Sequence, residues 1–247
     1  MSETAAPRTL RAAIFDVDGV LVASPHEQAW REALAGYADP ARFTTKFYQA
    51  NVAGKPRLAG AQATLEGLGV SLAATRAVEY ASRKQALIDH LIEAGDFESF
   101  ADAVRLAVAL RAAGLRLSLA SSSKNVEPML RRLPVPGGGT LLSLFDANLS
   151  GVDVPRGKPD PALFLLAAKA LNIPPTECLV IEDAPAGIEA ARAGGMANIG
   201  ISRLGDEALL RAAKADLVVT SLDLVDPAAI AHGLLRTKPG VEAATHA

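Results

Sequence analysis

Residues 11–20 read RAAIFDVDGV, an apolar run that ends in two aspartates and a glycine. An apolar run of this length is typical of a strand buried inside a sheet. Asp16 and Asp18 are two positions apart, so in extended backbone their side chains point to the same side. Two carboxylates on one side repel each other unless a cation lies between them. The segment therefore predicts a buried first strand whose end holds a cation, and Gly19 lets the chain turn sharply away from it.

Four further apolar runs follow the same pattern along the chain, so that the predicted strands are residues 11–16, 115–121, 178–182, 197–201 and 216–219. Apolar residues at helical spacing lie between the later runs, in residues 101–113, 161–171 and 186–193. Strands that alternate with helices are typical of a parallel sheet covered on both faces. The sequence therefore predicts an α/β fold, a doubly wound, Rossmann-like parallel sheet.

The long interval from residue 24 to residue 95 breaks this alternation. It is rich in Ala and Leu, largely helical in pattern, and contains no clear strand. An insertion of this length is too large for a loop. We therefore predict an α-helical cap domain at residues 24–95, inserted into a core domain made of residues 1–23 and 96–247.

Composition and charge exclude several classes of protein. The formal net charge of −2 provides no net electrostatic attraction to nucleic acid or to an anionic membrane. Residues 1–11 are polar, so we predict no signal peptide, and no apolar stretch reaches the roughly 18 residues of a spanning helix. The single cysteine, Cys178, excludes an intrachain disulfide and fits a reducing compartment. These features predict a cytoplasmic protein, a monomer or small homo-oligomer.

Polar residues also close the second and third predicted strands. Ser121 ends one of them in LASSSKN, and Glu182 and Asp183 end the other in LVIEDAPAG. Ligands of open parallel sheets bind beyond the carboxyl ends of the strands, so these residues should meet Asp16 and Asp18 at one edge. Four acids at one edge require a hard cation with oxygen ligands, and Mg²⁺ is the expected one where phosphate also binds.

The same edge offers groups that hold an anion. Ser121 donates from its hydroxyl, and the serines after it present backbone N–H groups. Lys158, in the segment GKPDP, supplies a fixed positive charge. Acids, cation, hydroxyl and lysine together predict phosphoryl transfer through a covalent aspartyl-phosphate.

These segments resemble the four signature motifs of the haloacid dehalogenase superfamily, in the same order. DVDGV at residues 16–20 resembles the first motif, Ser121 the second, Lys158 the third, and Glu182 with Asp183 the fourth. The resemblance extends from about residue 11 to about residue 225. It implies a core of five parallel strands and, for an insertion after the first motif, a helical cap.

The resemblance also implies roles for these residues. Asp16 becomes the phosphorylated nucleophile, while Asp18 protonates the leaving oxygen and later activates the acceptor. An aspartate at position 18 favours phosphoryl transfer, since dehalogenases of this superfamily lack it. The resemblance further implies that Asp16, the backbone carbonyl of Asp18 and Asp183 bind the metal, with Glu182 close by. It implies that Ser121 and Lys158 bind the phosphoryl oxygens.

A finer similarity points to β-phosphoglucomutase and its phosphatase relatives. LASSSKN, at residues 119–125, is close to the second-motif segment of that group. The similarity implies substrate contacts from the cap and from this segment, at His26, Arg57, Lys84, Ser122, Lys124 and Asn125. Alternatively, His26 caps the first helix of the cap, and Arg57 and Lys84 are charges on a solvent-exposed helix face.

The acceptor of the phosphoryl group separates two enzymatic functions. Water as the acceptor makes the protein a phosphatase, and a sugar hydroxyl makes it a mutase. Departures from the mutase pattern in the hinges, such as Ala23 in place of an acid, favour a phosphatase acting on a sugar phosphate. The basic cap residues favour β-phosphoglucomutase. A non-catalytic binding or regulatory protein would be indicated by loss of Asp16 or Asp183, and both are present.

Overall fold

The protein was analysed as a computed structural model, which describes residues 9–240. Residues 1–8 and 241–247 of the predicted core domain lie outside the described residues. Within the described part of the chain, no helix is long and apolar enough to cross a membrane.

A parallel sheet forms the centre of the core. The strands are β1 Ala12–Phe15, β2 Val22–Ala23, β3 Glu98–Ser99, β4 Arg116–Leu119, β5 Ala147–Asn148, β6 Cys178–Glu182, β7 Ala197–Ile201 and β8 Leu217–Val219. Six of them pair in the order β5-β4-β1-β6-β7-β8, with every pair parallel. The predicted α/β class and all five predicted strands are confirmed. The implied count of five is wrong by one, because the edge strand β5 has only two residues and no apolar run marks it.

Ten α-helices surround the sheet or build the cap in the described chain: α1 His26–Ala33, α2 Thr45–Asn51, α3 Arg57–Gly67, α4 Ala73–Ala94, α5 Ala101–Ala112, α6 Val126–Leu130, α7 Ala162–Leu171, α8 Pro185–Ala193, α9 Glu207–Ala212 and α10 Pro227–Ala231. Short 3-10 turns lie at Pro40–Arg42, Leu141–Leu144, Pro175–Glu177 and Leu222–Leu224. The three helices predicted from periodicity are α5, α7 and α8, and all three are confirmed.

The alternating side chains of β1 fill two separate apolar layers. Ala13 and Phe15 face one layer, which α5 covers, whereas Ala12 and Ile14 face the other, which α7 and α8 cover. All four residues are fully buried. A strand buried on both faces reads as a continuous apolar run, and this is why the first motif could be recognised as a central strand.

The interval assigned to the cap contains α1–α4 and, among the described residues, no strand. Its helices enclose an apolar cluster of their own around Trp30, Phe43, Leu65 and Tyr80. The hydroxyl of Tyr80 donates to the carbonyl of Trp30 at 2.8 Å. A separate cluster supports the division into a core and a cap, whose boundaries stay a prediction. We refer to residues 24–95 as the cap and to the rest of the described chain as the core.

The chain enters and leaves the cap through a pair of strands that the sequence did not reveal. β2 and β3 pair antiparallel, Val22 with Ser99 and Ala23 with Glu98. Phe100 continues the connection by donating its backbone N–H to the carbonyl of Leu21 at 2.9 Å. We call β2 and β3 the hinge.

Candidate active site

The carboxyl ends of β1, β4 and β6 open into a cavity between the core and the cap. Asp16 follows β1, Ser121 lies two residues after β4, and Asp183 follows β6. The cavity has a volume of about 280 Å³ and is lined by residues of both parts of the chain. The expectation that strand ends bring the predicted residues to one edge is therefore met.

Lys158 lies beneath the floor of the cavity. Its side chain is fully buried, and Nζ donates to Oδ1 of Asp16 and to Oε1 of Glu182, each at 2.5 Å. Burial alone would lower the pKa of Lys158, but the two carboxylates raise it above its ordinary value. Lys158 is therefore a permanent cation that fixes one oxygen of Asp16.

Three buried acids meet beside Lys158. Asp16, Glu182 and Asp183 each place one carboxylate oxygen within 4.8 Å of the others. Burial raises the pKa of Asp16 to about 7 against the opposing charge of Lys158. Burial, and then the charge of Glu182, also raise the pKa of Asp183 well above its usual range. Because this cluster carries more negative charge than one lysine neutralises, its residues fit a divalent cation.

Backbone groups close around the acids. The second carboxylate oxygen of Glu182 accepts from the N–H groups of Asp183 and Ala184, both at 2.9 Å. Gly19 adopts a φ of +83°, and a Cβ at this position would lie 1.9 Å from Oδ2 of Asp183. Only glycine fits here. The DVDGV motif therefore needs a glycine both for the turn and for the close approach of Asp183.

Asp18 faces away from this cluster, toward the cap. Its Oδ1 lies 3.3 Å from Nε2 of His26, at ion-pair distance without a well-directed hydrogen bond. Its Oδ2 accepts a long hydrogen bond of 3.4 Å from the hydroxyl of Ser121. Burial alone would raise the pKa of Asp18, but His26 outweighs burial together with other donors and lowers it to about 2.

His26 joins Asp18 to a buried lysine of the cap. Nζ of Lys84 lies 2.9 Å from Nδ1 of His26, and Nε2 of His26 lies 3.2 Å from the hydroxyl of Ser123. An ammonium group only donates, so Nδ1 of His26 accepts from Lys84 and Nε2 faces Asp18. Burial lowers the pKa of Lys84 to about 8. Pro25, not His26, is the N-cap residue of α1, so the helix-cap alternative for His26 is not supported.

The far end of the cavity is basic. Arg57 donates to Oε1 of Gln85, whose Nε2 donates to Oδ1 of Asn125 at 3.0 Å and so joins the cap to the core. Lys124 forms an ion pair of 3.0 Å with Asp153 and remains largely exposed. The hydroxyl of Ser122 donates to the carbonyl of Gly54 at 3.4 Å, a second link between the core and the cap.

Ten of the twelve predicted site residues line the cavity, and Lys158 and Glu182 lie directly below it. The cavity-lining set is Asp16, Asp18, His26, Arg57, Lys84, Ser121, Ser122, Lys124, Asn125 and Asp183. The structure brings the predicted residues together, and their individual roles stay predictions. Sequence reasoning missed two further residues that line the cavity: Tyr48, which lies in no recognisable motif, and Gln85, which directly follows the predicted Lys84.

Comparison with known proteins gives the family. The family model of the haloacid dehalogenase-like hydrolases matches residues 10–195. The chain belongs to this family. It is 33% identical to a β-phosphoglucomutase of Mycobacterium bovis, over 87% of this chain and 91% of that protein. It is 32% identical to a fructose-1-phosphate phosphatase of Escherichia coli, over 74% of this chain and 92% of that protein.

A solved structure agrees with these relatives. The β-phosphoglucomutase of Clostridium difficile superposes with a TM-score of 0.70 at 30% identity, over 86% of this chain and 92% of that chain. The predicted membership of the haloacid dehalogenase superfamily is therefore confirmed, and so is the prediction that the protein is an enzyme. Both functions weighed from the sequence, sugar-phosphate phosphatase and β-phosphoglucomutase, occur among the relatives of this hydrolase.

Proposed function

We propose that the protein is a phosphatase that transfers the phosphoryl group of a sugar phosphate to Asp16 and then to water. The observation that carries this proposal is the environment of the Asp16 carboxylate. Lys158 holds its Oδ1, and Asp16 lines the cavity together with Asp18 and Ser121. A carboxylate that is oriented by a buried cation and lines the cavity suits a nucleophile.

Two displacements complete the proposed reaction. In the first, an oxygen of Asp16 bonds to phosphorus, the bond to the sugar oxygen breaks, and Asp18 gives that oxygen a proton. In the second, Asp18 takes a proton from water, the water oxygen bonds to phosphorus, and the bond to Asp16 breaks. The low pKa of Asp18 is consistent with these roles, because a phosphate dianion beside it raises its affinity for a proton.

Mg²⁺ is the cation that we propose for the acidic cluster. Asp16, Asp183 and the backbone carbonyl of Asp18 would hold it, with Glu182 close by. When bound, Mg²⁺ stabilises the negative charge that develops on the phosphoryl oxygens. The buried, mutually repelling acids support this proposal.

Metal binding is expected to raise the melting temperature more at pH 8 than at pH 5. The raised pKa of Asp16, about 7, means that this group contributes most to the stability of the metal-free protein where it is protonated. This stability is complete below about pH 4 and is lost as pH rises toward 7. Mg²⁺ removes the loss because it binds the ionised carboxylates. Thermal unfolding with Mg²⁺ and with EDTA checks this, and a shift that does not depend on pH would contradict it.

Replacement of His26 by alanine is expected to lower kcat by about tenfold to a thousandfold, since it removes the group that orients and polarises Asp18. Turnover of a sugar phosphate at saturating substrate measures the effect. The matched control is His90→Ala, which alters an exposed histidine of the cap helix α4. Equal kcat values for the two variants would exclude a role for His26 in proton transfer.

β-Phosphoglucomutase is the second candidate function, and the basic far end of the cavity favours it. Arg57 and Lys55 line the cavity. Two basic side chains in the same cavity as Asp16 suit a substrate that carries a second phosphate, as glucose 1,6-bisphosphate does.

One reaction mixture distinguishes the two functions. Purified protein, Mg²⁺, β-glucose 1-phosphate and a little glucose 1,6-bisphosphate are followed for free phosphate and for glucose 6-phosphate. Dominant free phosphate supports the phosphatase, whereas rapid formation of glucose 6-phosphate with little free phosphate supports the mutase. In the second case Arg57→Ala should abolish mutase turnover by removing a ligand of the second phosphate. If neither product forms from this or from a panel of sugar phosphates, the proposed substrate class is wrong.

The proposal includes a small phosphorylated metabolite as the only partner needed for turnover, and a cytoplasmic location. The single cysteine supports that location, because the thiol of Cys178 is buried in β6 and free. A protein without disulfides suits a reducing compartment.

A further inference from the structure

Arg203, in the loop after β7, connects several segments of the core. Its guanidinium forms two hydrogen bonds with the carboxylate of Asp102, at 2.7 and 3.0 Å. It also donates to the carbonyls of Val20, at 3.2 Å, and Gly19, at 3.4 Å. Its plane lies over the ring of Phe100, with 4.0 Å between Cζ and the ring centroid. No motif of the family resemblance includes this arginine.

The partner carboxylate is itself held firmly. Asp102 lies in the first turn of α5, and it accepts further hydrogen bonds from the hydroxyl of Ser221, at 3.0 Å, and from the N–H of Leu222, at 2.8 Å. The side chains of Arg203 and Asp102 are only 14% and 10% exposed. A bidentate pair shielded from water is stronger and more directional than an exposed ion pair.

These contacts converge on the base of the hinge. Gly19 and Val20 lead into β2, and Phe100 follows β3, so one guanidinium touches the chain on both sides of the cap connection. The N–H of Gly19 also bonds to the carbonyl of Val22 at 2.9 Å. Since Gly19 packs against the carboxylate of Asp183, the same loop borders the acidic cluster.

We propose that Arg203 is a positioning residue, which holds the base of the hinge and the loop after Asp18 in one geometry. Closure of the cap then brings His26 to the same place beside Asp18 in every cycle. Arginine is required at this position. The single ammonium group of a lysine cannot form the bidentate pair with Asp102 and also bond to the two carbonyls, and it cannot stack on the ring of Phe100. The expected effect of Arg203 on catalysis rests on the proposed function, whereas its expected effect on the geometry of the hinge does not.

Hydrogen exchange tests the hinge directly. In Arg203→Lys, backbone amides of residues 17–23 and 96–101 should exchange at least about tenfold faster than in the wild type. Amides of the central strands β1 and β6 should not change. The matched control is Arg105→Lys, since Arg105 forms an exposed bidentate pair with Asp223 and touches neither side of the hinge. Unchanged exchange at the hinge, or equally faster exchange throughout the core, would overturn the proposal.

A milder variant covers the case in which Arg203→Lys does not fold. Phe100→Leu keeps the hydrogen bonds of Arg203 and removes only the ring beneath its guanidinium. It should accelerate exchange in the same two segments by a smaller factor. If the amides of these two segments exchanged as slowly as in the wild type, the result would again contradict the role of Arg203 as a positioning residue.

Turnover of two substrates separates positioning from general stability. β-Glucose 1-phosphate carries a sugar that residues of the cap can contact, whereas acetyl phosphate has no such group. Arg203→Lys should lower kcat/KM for the sugar phosphate by about tenfold to a hundredfold, with kcat affected more than KM, and for acetyl phosphate by less than about threefold. Parallel losses on both substrates would reduce Arg203 to a structural residue. A wild-type protein that turns over neither substrate would refute the proposed function, and hydrogen exchange would still decide the claim about the hinge.

Discussion

Replacement of Asp16 by asparagine is expected to abolish turnover of any phosphorylated substrate. The amide has nearly the shape of the carboxylate, but its oxygen is too weak a nucleophile to form the covalent intermediate. Incubation of the wild type with substrate and Mg²⁺, followed by acid quench and mass spectrometry, should detect a phosphorylated peptide containing Asp16. The same peptide from Asp16→Asn should carry no phosphoryl group.

The same substitution should leave the metal-free fold at least as stable as the wild type at pH 8. Burial makes the ionised form of Asp16 unfavourable, and its pKa of about 7 means that the wild type carries this cost at pH 8. Asparagine removes the charge and leaves Lys158 paired with Glu182. The exposed acid Asp96 provides the control, since Asp96→Asn should change neither turnover nor stability. Turnover by Asp16→Asn would end the covalent mechanism, whereas lost activity with a lower melting temperature would indicate misfolding.

The sequence was most informative where each residue of an element is buried. Every residue of β1, β6 and β7 is buried, so each strand appears as a short apolar run whose end is easily located. Polar residues at those ends then predicted the site, because parallel strands place their carboxyl ends at one edge. The meeting of these residues in one cavity could therefore be predicted from motifs that lie far apart in the chain.

Short elements and contacts between the cap and the core could not be predicted in this way. The hinge strands have two residues each, and their pairing depends on backbone groups that carry no sequence signal. Lys84 was predicted as a ligand of the substrate from the resemblance to the β-phosphoglucomutase group. The structure adds that it is buried and bonded to His26, which no helical periodicity reveals. Arg203 resembles any other loop arginine until the fold places Asp102 and Phe100 around it.

Replacement of Lys158 by methionine is expected to destabilise the protein and also to remove its activity. Methionine fills a similar volume, but it leaves the buried carboxylates of Asp16 and Glu182 without their shared cation. Removing one partner of a buried ion pair typically costs about 3–5 kcal/mol of stability. Loss of the charge that orients Asp16 should lower kcat by at least about a hundredfold.

The size of this destabilisation should depend on pH in a defined direction. Without Lys158 the pKa of Asp16 rises further, because the lysine is the largest influence that lowers it. In the folded variant Asp16 then stays protonated to a higher pH, whereas the unfolded chain releases this proton near the ordinary pKa of an aspartate. The loss of stability is therefore smaller at pH 5 and larger at pH 8. Urea unfolding of Lys158→Met at both pH values measures the difference, with Lys169→Met, an exposed lysine of α7, as the control. A loss of stability that is equal at the two pH values would show that Lys158 stabilises the fold by packing, not by neutralising the buried carboxylates.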